Sequence, residues 1–287
     1  MKWQPLGLGL WLVVWPLAAG WPHSEEATVS VKTYTPITVD GTLDEWVRRL
    51  ESSNWNGRME VQKGQVLKWM RAVPTYLNGL TSLVESGVVA SPQDLSATIY
   101  TLWDAQWFYV AAVVTDDDVV TQHDGADIWQ DDAIELWFDC RHDAVTHTLS
   151  QDDEYQLGFS PASRGRNRAV AWAWRNPQNE PVIAAMQVAS ALTPTGYLIE
   201  AAVPWSVLHG CEAPSVGKMI GFNISIADKD ADQQWTHVTW SGSLHSDPSQ
   251  FGHLYFVDAP VDLFPSDVFE HPSGVSFWSG EPKDRHE

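Results

Sequence analysis

Apolar and polar residues alternate along much of the chain, in short runs rich in Val, Ile, Thr and aromatic side chains that Gly, Pro, Asp and Asn interrupt. The alternation is clearest at Ile220, Phe222, Ile224 and Ile226, with Gly221, Asn223, Ser225 and Ala227 facing the other way. Ile134, Leu136 and Phe138 form a second set, which turns Ala133, Glu135 and Trp137 to the opposite face. Such runs predict strands at Ile37 to Val39, Leu95 to Trp103, Trp107 to Thr115, Ala133 to Cys140, Glu154 to Phe159, Val170 to Arg175, Ile183 to Leu192, Tyr197 to Val203, Met219 to Ala227, His237 to Trp240 and His253 to Val257. No regular helical period separates them. The expected fold class is therefore all-β, an antiparallel β-sandwich of immunoglobulin-like or jelly-roll type.

Two stretches depart from this rhythm. Val61 to Met70 and Tyr76 to Val84 carry helix-like apolar spacing on either side of Pro74, which predicts a helical insertion over 47–91, ahead of the main sandwich. At the start, Met1 and Lys2 precede an apolar run from Leu6 to Leu17 and then Ala18, Ala19 and Gly20. That run falls short of the roughly 20 residues a membrane span needs, so a secretory signal over 1–20 is expected, with a periplasmic or extracellular product. The sandwich is expected over 28–258. The residues over 259–287 hold four prolines and two Ser-Gly pairs and predict an irregular tail.

Composition narrows the partners. Thirty-seven acidic against seventeen basic residues give a formal charge of −20, a field that opposes nucleic acid and anionic membrane surfaces. Seventeen tryptophans are present, four of them (Trp3, Trp11, Trp15 and Trp21) at or beside the N-terminal apolar run. Trp103, Trp107, Trp205 and Trp240 lie in strands or at strand ends and are expected in the core. Trp172 and Trp174 share one strand face, where they either pack beneath the insertion or extend a binding surface. Cys140 and Cys211, the two cysteines, permit one disulfide or two buried thiols.

The chain carries no Gly-x-Ser-x-Gly, no phosphate-cradling loop, no His-Glu-x-x-His and no Cys-His constellation, so no enzyme is expected. Its acidic residues gather in two loops instead. One runs from Asp116 through Asp118, Asp124 and Asp127 to Asp132; the other includes Asp228, Asp230 and Asp232. Clustered carboxylates repel one another unless a cation relieves them, and calcium takes six to eight oxygen ligands. Asp116, Asp118, Asp124, Asp127, Asp228 and Asp230 are thus the candidate calcium ligands, with a solvated acidic loop as the alternative. His123, His142, His147, His209, His245 and His253 show no metal-ligand spacing.

Several motifs fall into one order: Ile37 to Trp46 (ITVDGTLDEW), Leu102 to Val110 (LWDAQWFYV), Trp129 to Asp139 (WQDDAIELWFD), Gly196 to Trp205 (GYLIEAAVPW), Ile220 to Ile224 (IGFNI) and Asp247 to Gly252 (DPSQFG). In this they resemble the family 9 carbohydrate-binding modules, from about Pro36 to Asp258. The resemblance implies a β-sandwich with bound calcium, often appended to secreted enzymes that degrade plant polysaccharides, in which two tryptophans clamp a sugar ring. It places Trp129 as one wall of the clamp, Glu135 as the acid that receives hydroxyls, and Asp132 as an acid holding the loop. The second tryptophan falls on His245, an amide residue falls on Gly242, and an arginine falls on Gln156. Trp235 is the candidate substitute wall. A pyranose presents an apolar C–H face to indole, while its hydroxyls need polar partners at the rim. The partner expected is thus an oligosaccharide or polysaccharide. The alternatives are a sandwich scaffold for protein partners that has lost its sugar site and a haem-binding electron carrier using Met186, Met219 or histidine.

Overall fold

The computed structural model describes residues 24, 26–51, 66–79, 82–143, 152–174, 179–212, 214–230, 235–242 and 247–258, with the backbone alone at 47–51 and 66–70. The signal expected over 1–20, the tail over 259–287, His147 and His245 lie outside the described residues. The strands are β1 (Ala27–Lys32), β2 (Val47–Glu51), β3 (Val66–Met70), β4 (Pro74–Asn78), β5 (Leu83–Ser86), β6 (Leu95–Trp103), β7 (Trp107–Asp116), β8 (Ala133–Asp139), β9 (Glu154–Ser160), β10 (Val170–Trp174), β11 (Gln187–Thr193), β12 (Gly196–Pro204), β13 (Met219–Lys229), β14 (Trp235–Thr239) and β15 (Gly252–Val257). One helix, α1 (Asn179–Ala185), and 3-10 turns at Gly125–Gln130, Trp205–Val207 and Pro248–Gln250 lie between them.

Thirteen strands form one sheet in the order β10-β9-β8-β13-β15-β1-β6-β7-β12-β11, with β14 beside β13, β5 beside β14 and β4 beside β6. The sheet doubles over, because strands remote in that order touch through their side chains. Phe108 of β7 lies 5.4 Å from Phe138 of β8 and 6.2 Å from Phe222 of β13, ring centre to ring centre. The alternating Ile220, Phe222, Ile224 and Ile226 and the facing Ile134, Leu136 and Phe138 fill this space, each almost wholly buried. Burying one such side chain stabilises the fold by about 1.5–3 kcal/mol.

The closing strand is β1. It runs parallel to both β15 and β6, while the other pairings are antiparallel. Parallel neighbours need long connections, and β1 has them, since β15 is at the far end of the chain and β6 lies beyond β2 to β5. The indole of Trp103 fastens the seam, donating to the carbonyls of Ser30 at 3.0 Å and Val257 at 3.3 Å. Across the fold, the Glu200 carboxylate of β12 accepts from Trp46 Nε1 at 2.8 Å and from the backbone N–H groups of Asp40 and Gly41. This ties the segment that follows β1 to the sheet.

Three expectations need correction. The described parts of the 47–91 segment are strands β2 to β5, not helix. Leu77 is buried and Tyr76 exposed, the period-two sign of β4 against β6, which the spacing of Leu77, Leu80, Leu83 and Val84 had imitated as a helical stripe. Ile37 to Val39 is not a strand, although Ile37 is buried. The run from Ile183 to Leu192 divides into the end of α1 and most of β11. Cys140 and Cys211 are joined as a disulfide with their Cα atoms 4.7 Å apart, linking the end of β8 to the loop beyond β12. Of the tryptophans expected inside, Trp103 and Trp205 are buried, while Trp107 and Trp240 are half-buried.

Candidate functional site

Trp129 rides on the Gly125–Gln130 turn, and three features hold that turn. Ile128 is buried beneath it. The Trp174 indole donates to Ala126 O at 2.9 Å, and Trp172 lies against Gly125, so these two tryptophans of β10 pack under the turn. Only glycine fits at position 158, because a Cβ there would collide with the Trp174 ring. Third, the loop leading to the turn closes on the buried Asp131 carboxylate. It accepts from the backbone N–H of Gln122 at 3.0 Å and of His123 at 2.8 Å, meets His123 Nδ1 at 2.7 Å, and receives Arg166 Nη1 at 3.1 Å. Arg166 also donates to His123 O, Ser160 Oγ and Pro161 O, so one guanidinium joins the loop to the end of β9.

Held in this way, Trp129 remains 46% exposed. Trp235, at the start of β14, donates its indole N–H to Trp129 O at 3.2 Å, and the two rings stand 6.3 Å apart at 85°. Trp235 in turn stacks on His237, 8° from parallel. The two indoles therefore form a corner and not a parallel clamp. Between them lies a cleft of about 440 Å³ lined also by Val120, Gln122, His123, Gln130, Asp131 and Lys229. Amide, imidazole and ammonium groups beside an open aromatic face suit a ligand that is apolar on one side and rich in hydroxyls around its edge.

Glu135 and Gln156 do not line that cleft. They sit on the outer face of β8 and β9, 3% and 6% exposed, with Gln156 Nε2 donating to Glu135 Oε2 at 2.9 Å. Glu135 is paired in register with Gly158, over which Trp174 and Ile128 lie, so the two polar side chains are neighbours of the turn's underside. This is the face opposite Ile134, Leu136 and Phe138, yet Trp137 is fully buried on it too, donating to Ser225 Oγ and packing on Phe251. Gln156 Oε1 has no hydrogen-bond partner there. Gly242, where an amide side chain is implied by the family, has φ 72° and would place a Cβ 2.7 Å from Gln250 O, so its backbone admits no side chain.

The acidic candidates separate by burial. Asp116, Asp132 and Asp228 bring carboxylate oxygens within 4.8 Å of one another while being 4%, 0% and 3% exposed, and Asp94 and Asp230 form a second such group with Asp228. Asp118 is exposed, with its N–H on Asp116 Oδ1; Asp124 pairs with Arg168 at 2.8 Å; Asp127 is exposed and accepts from Gln130. Asp132, from the Trp129 motif, accepts from the backbone N–H groups of Val120 and Lys229, so it fastens both loops. Burial above all, and neighbouring carboxylate charge with it, raises the pKa of Asp116 to about 6, of Asp228 to about 8 and of Asp132 to about 10; Asp116 is the leading charged neighbour of the last two. Asp116 Oδ2, Asp228 Oδ1 and the Tyr197 hydroxyl are buried with no hydrogen-bond partner. Unsatisfied, buried, hard oxygen ligands at this spacing fit a calcium ion.

Sequence reading did not single out Gln122, His123, Gln130 and Lys229 at the cleft, or Arg166 beneath it. None carries a signal of its own, because loop closure alone brings them together. A larger cleft, about 640 Å³, opens at the other end of β7 beside Trp107 and Trp205. Its tryptophans belong to the buried and half-buried set.

The family described as "Carbohydrate family 9 binding domain-like" matches residues 73–259. The chain is 27% identical over 169 residues to "Endo-1,4-beta-xylanase A" of Thermoanaerobacterium saccharolyticum, which covers 58% of this chain and 13% of that protein. It is 25% identical over 195 residues to "Exoglucanase XynX" of Acetivibrio thermocellus, covering 67% and 16% respectively. The chain thus spans under a fifth of the length of these relatives. In fold it is similar to a family 9 carbohydrate-binding module from Caldicellulosiruptor kristjanssonii solved with cellotriose and again with glucose, at TM-score 0.52, 17% identity and 84% coverage of this chain in both cases, and 98% and 100% of those chains. A family match across more than half of the sequence, carried on the doubled sheet, makes this protein a member of the carbohydrate family 9 binding domain-like family.

Proposed function

We propose that the protein is a secreted, non-catalytic carbohydrate-binding module in which one ring of an oligosaccharide or polysaccharide lies on Trp129 beside Trp235. The observation that carries the reading is the exposed Trp129 indole at the edge of a cleft with polar walls. Gln122, His123, Gln130 and Lys229 are the nearest hydroxyl partners, and the buried Glu135–Gln156 pair supports the underside of the turn. Cellotriose and glucose in the solved relatives make glucose-containing saccharides the first ligands to try. The test is titration with glucose, cello-oligosaccharides and xylo-oligosaccharides, followed by tryptophan fluorescence and calorimetry. Saturable binding supports the reading; silence across the panel with calcium present refutes it.

A calcium ion held by Asp116, Asp132 and Asp228, with Tyr197 Oη or Asp230 adjacent, is part of this proposal. The ion would neutralise the charge of three buried carboxylates and keep the loops of Trp129 and Trp235 together. A second reading, a scaffold that has kept the fold without the sugar site, is favoured by Gly242 and by the perpendicular indoles. Refusal of every sugar by a folded, calcium-loaded protein would select it.

A further inference from the structure

Away from the Trp129 cleft, two histidines that are 111 residues apart in sequence face each other nitrogen to nitrogen. His142 Nε2 lies 2.9 Å from His253 Nδ1, with ring centres 4.9 Å apart and planes tilted by 38°. Both residues are half-buried. Two features of the backbone maintain the juxtaposition. His142 has φ 55°, and among the described residues it is the one non-glycine residue held in the left-handed region, a conformation with a steric cost that surrounding contacts must outweigh. Gly221 lies in register with both Asp139 and His253. A Cβ there would come 2.9 Å from Asp139 Cβ and 3.4 Å from both Asp139 Oδ2 and His142 Cδ2. The missing side chain at Gly221 is what lets an acid and two imidazoles gather over one strand.

We infer that His142 and His253 form a site for a first-row transition-metal dication of the zinc or copper class. Without an ion the two nitrogens share a hydrogen bond at 2.9 Å. Two nitrogens each about 2.0–2.1 Å from one ion stand about 2.9 Å apart at the right angle of a tetragonal copper site and about 3.3 Å apart at the tetrahedral angle of zinc, so the pair meets the first as it stands and the second by parting a few tenths of an ångström. Imidazole nitrogen selects this class of ion over calcium, which prefers oxygen. The buried Asp139 carboxylate holds the turn that carries His142 by accepting from the backbone N–H of Asp143 at 3.3 Å, and water completes the ligand set. The site is separate from the acid group of Asp116, Asp132 and Asp228. It lies at the other end of β8, whose first residue, Ala133, follows Asp132 and whose last is Asp139.

The experiment is calorimetric titration of the chelator-stripped full chain with zinc in excess calcium, which fills oxygen-ligand sites first. One equivalent of zinc is expected to bind, and His142→Asn and His253→Gln are each expected to weaken it at least tenfold, while His209→Ala leaves it unchanged. Copper added to the unaltered protein is expected to give a paramagnetic resonance spectrum with coupling to two nitrogens. Asn tolerates the left-handed backbone at 142, so that variant carries the test even if the strand variant fails to fold. Absence of stoichiometric zinc uptake, or uptake that survives His142→Asn at full affinity, overturns the inference.

Discussion

Arg166 and Asp131 form an ion pair of 3.1 Å in which the side chains are 7% and 1% exposed, and the loop that carries Trp129 is built around it. Removing one partner of such a pair leaves a buried charge without compensation and costs about 3–5 kcal/mol. Arg166→Met should therefore lower the melting temperature by about 10 °C and weaken sugar binding as well. A thermal melt checks the first effect and a sugar titration the second. An unchanged melt would show that the loop is held by other contacts.

Trp129→Ala should leave the fold intact, since the ring is nearly half exposed, yet reduce saccharide affinity by about thirtyfold, the loss of about 2 kcal/mol typical of a central aromatic contact. Trp235→Ala should cost less in binding, because its ring meets Trp129 edge to face and has His237 on its other side. Equal affinity in the Trp129 variant and the unaltered protein would move the site elsewhere.

Calcium should raise the melting temperature by about 5–10 °C at a hundredfold excess over its dissociation constant. In chelator the pH dependence has a definite sign. Asp116, Asp228 and Asp132 have folded-state pKa values raised to about 6, 8 and 10, so their contribution to stability is complete below the ordinary carboxylate range near pH 4 and is lost as pH rises through those values. Metal-free protein should thus melt lower at pH 8 than at pH 5 by virtue of these groups. The calcium-induced gain should grow over the same interval, because the ion competes with protons. Melts at both pH values, with and without calcium, measure this, and a gain that shrinks with rising pH would contradict it.

The disulfide between Cys140 and Cys211 spans a separation of 71 residues and ties the end of β8 to the loop beyond β12. Cys140→Ser should cost about 2–4 kcal/mol, chiefly through the freedom the unfolded chain regains, and reductant should have no further effect on that variant. Denaturant unfolding of both proteins, reduced and oxidised, provides the comparison.

Strands with strict alternation, such as β8 and β13, were legible in the sequence because Ile134, Leu136 and Phe138, and Ile220, Phe222, Ile224 and Ile226, all face the shared core. β1 was not singled out, since its buried positions include Thr28 and Ser30, whose polar side chains hide the pattern. The 47–91 segment misled because apolar residues of several short strands fall at helical spacing. At the site, Trp129 and Asp132 lay in one contiguous motif and could be read. Arg166 with Asp131, and His142 with His253, are brought together by the pairing of β9 with β8 and of β8 and β15 with β13, which no local spacing encodes.

The parallel insertion of β1 between β15 and β6 affects how the domain should be cut for expression. A fragment begun at residue 73, where the family match starts, loses the strand that bridges those two neighbours, and it also strips three hydrogen-bond donors from Glu200. Such a fragment would bare the edge of β15 from His253 to Val257 and the end of β6 at Leu102 and Trp103, a template for a second molecule, and should aggregate more readily than the longer chain.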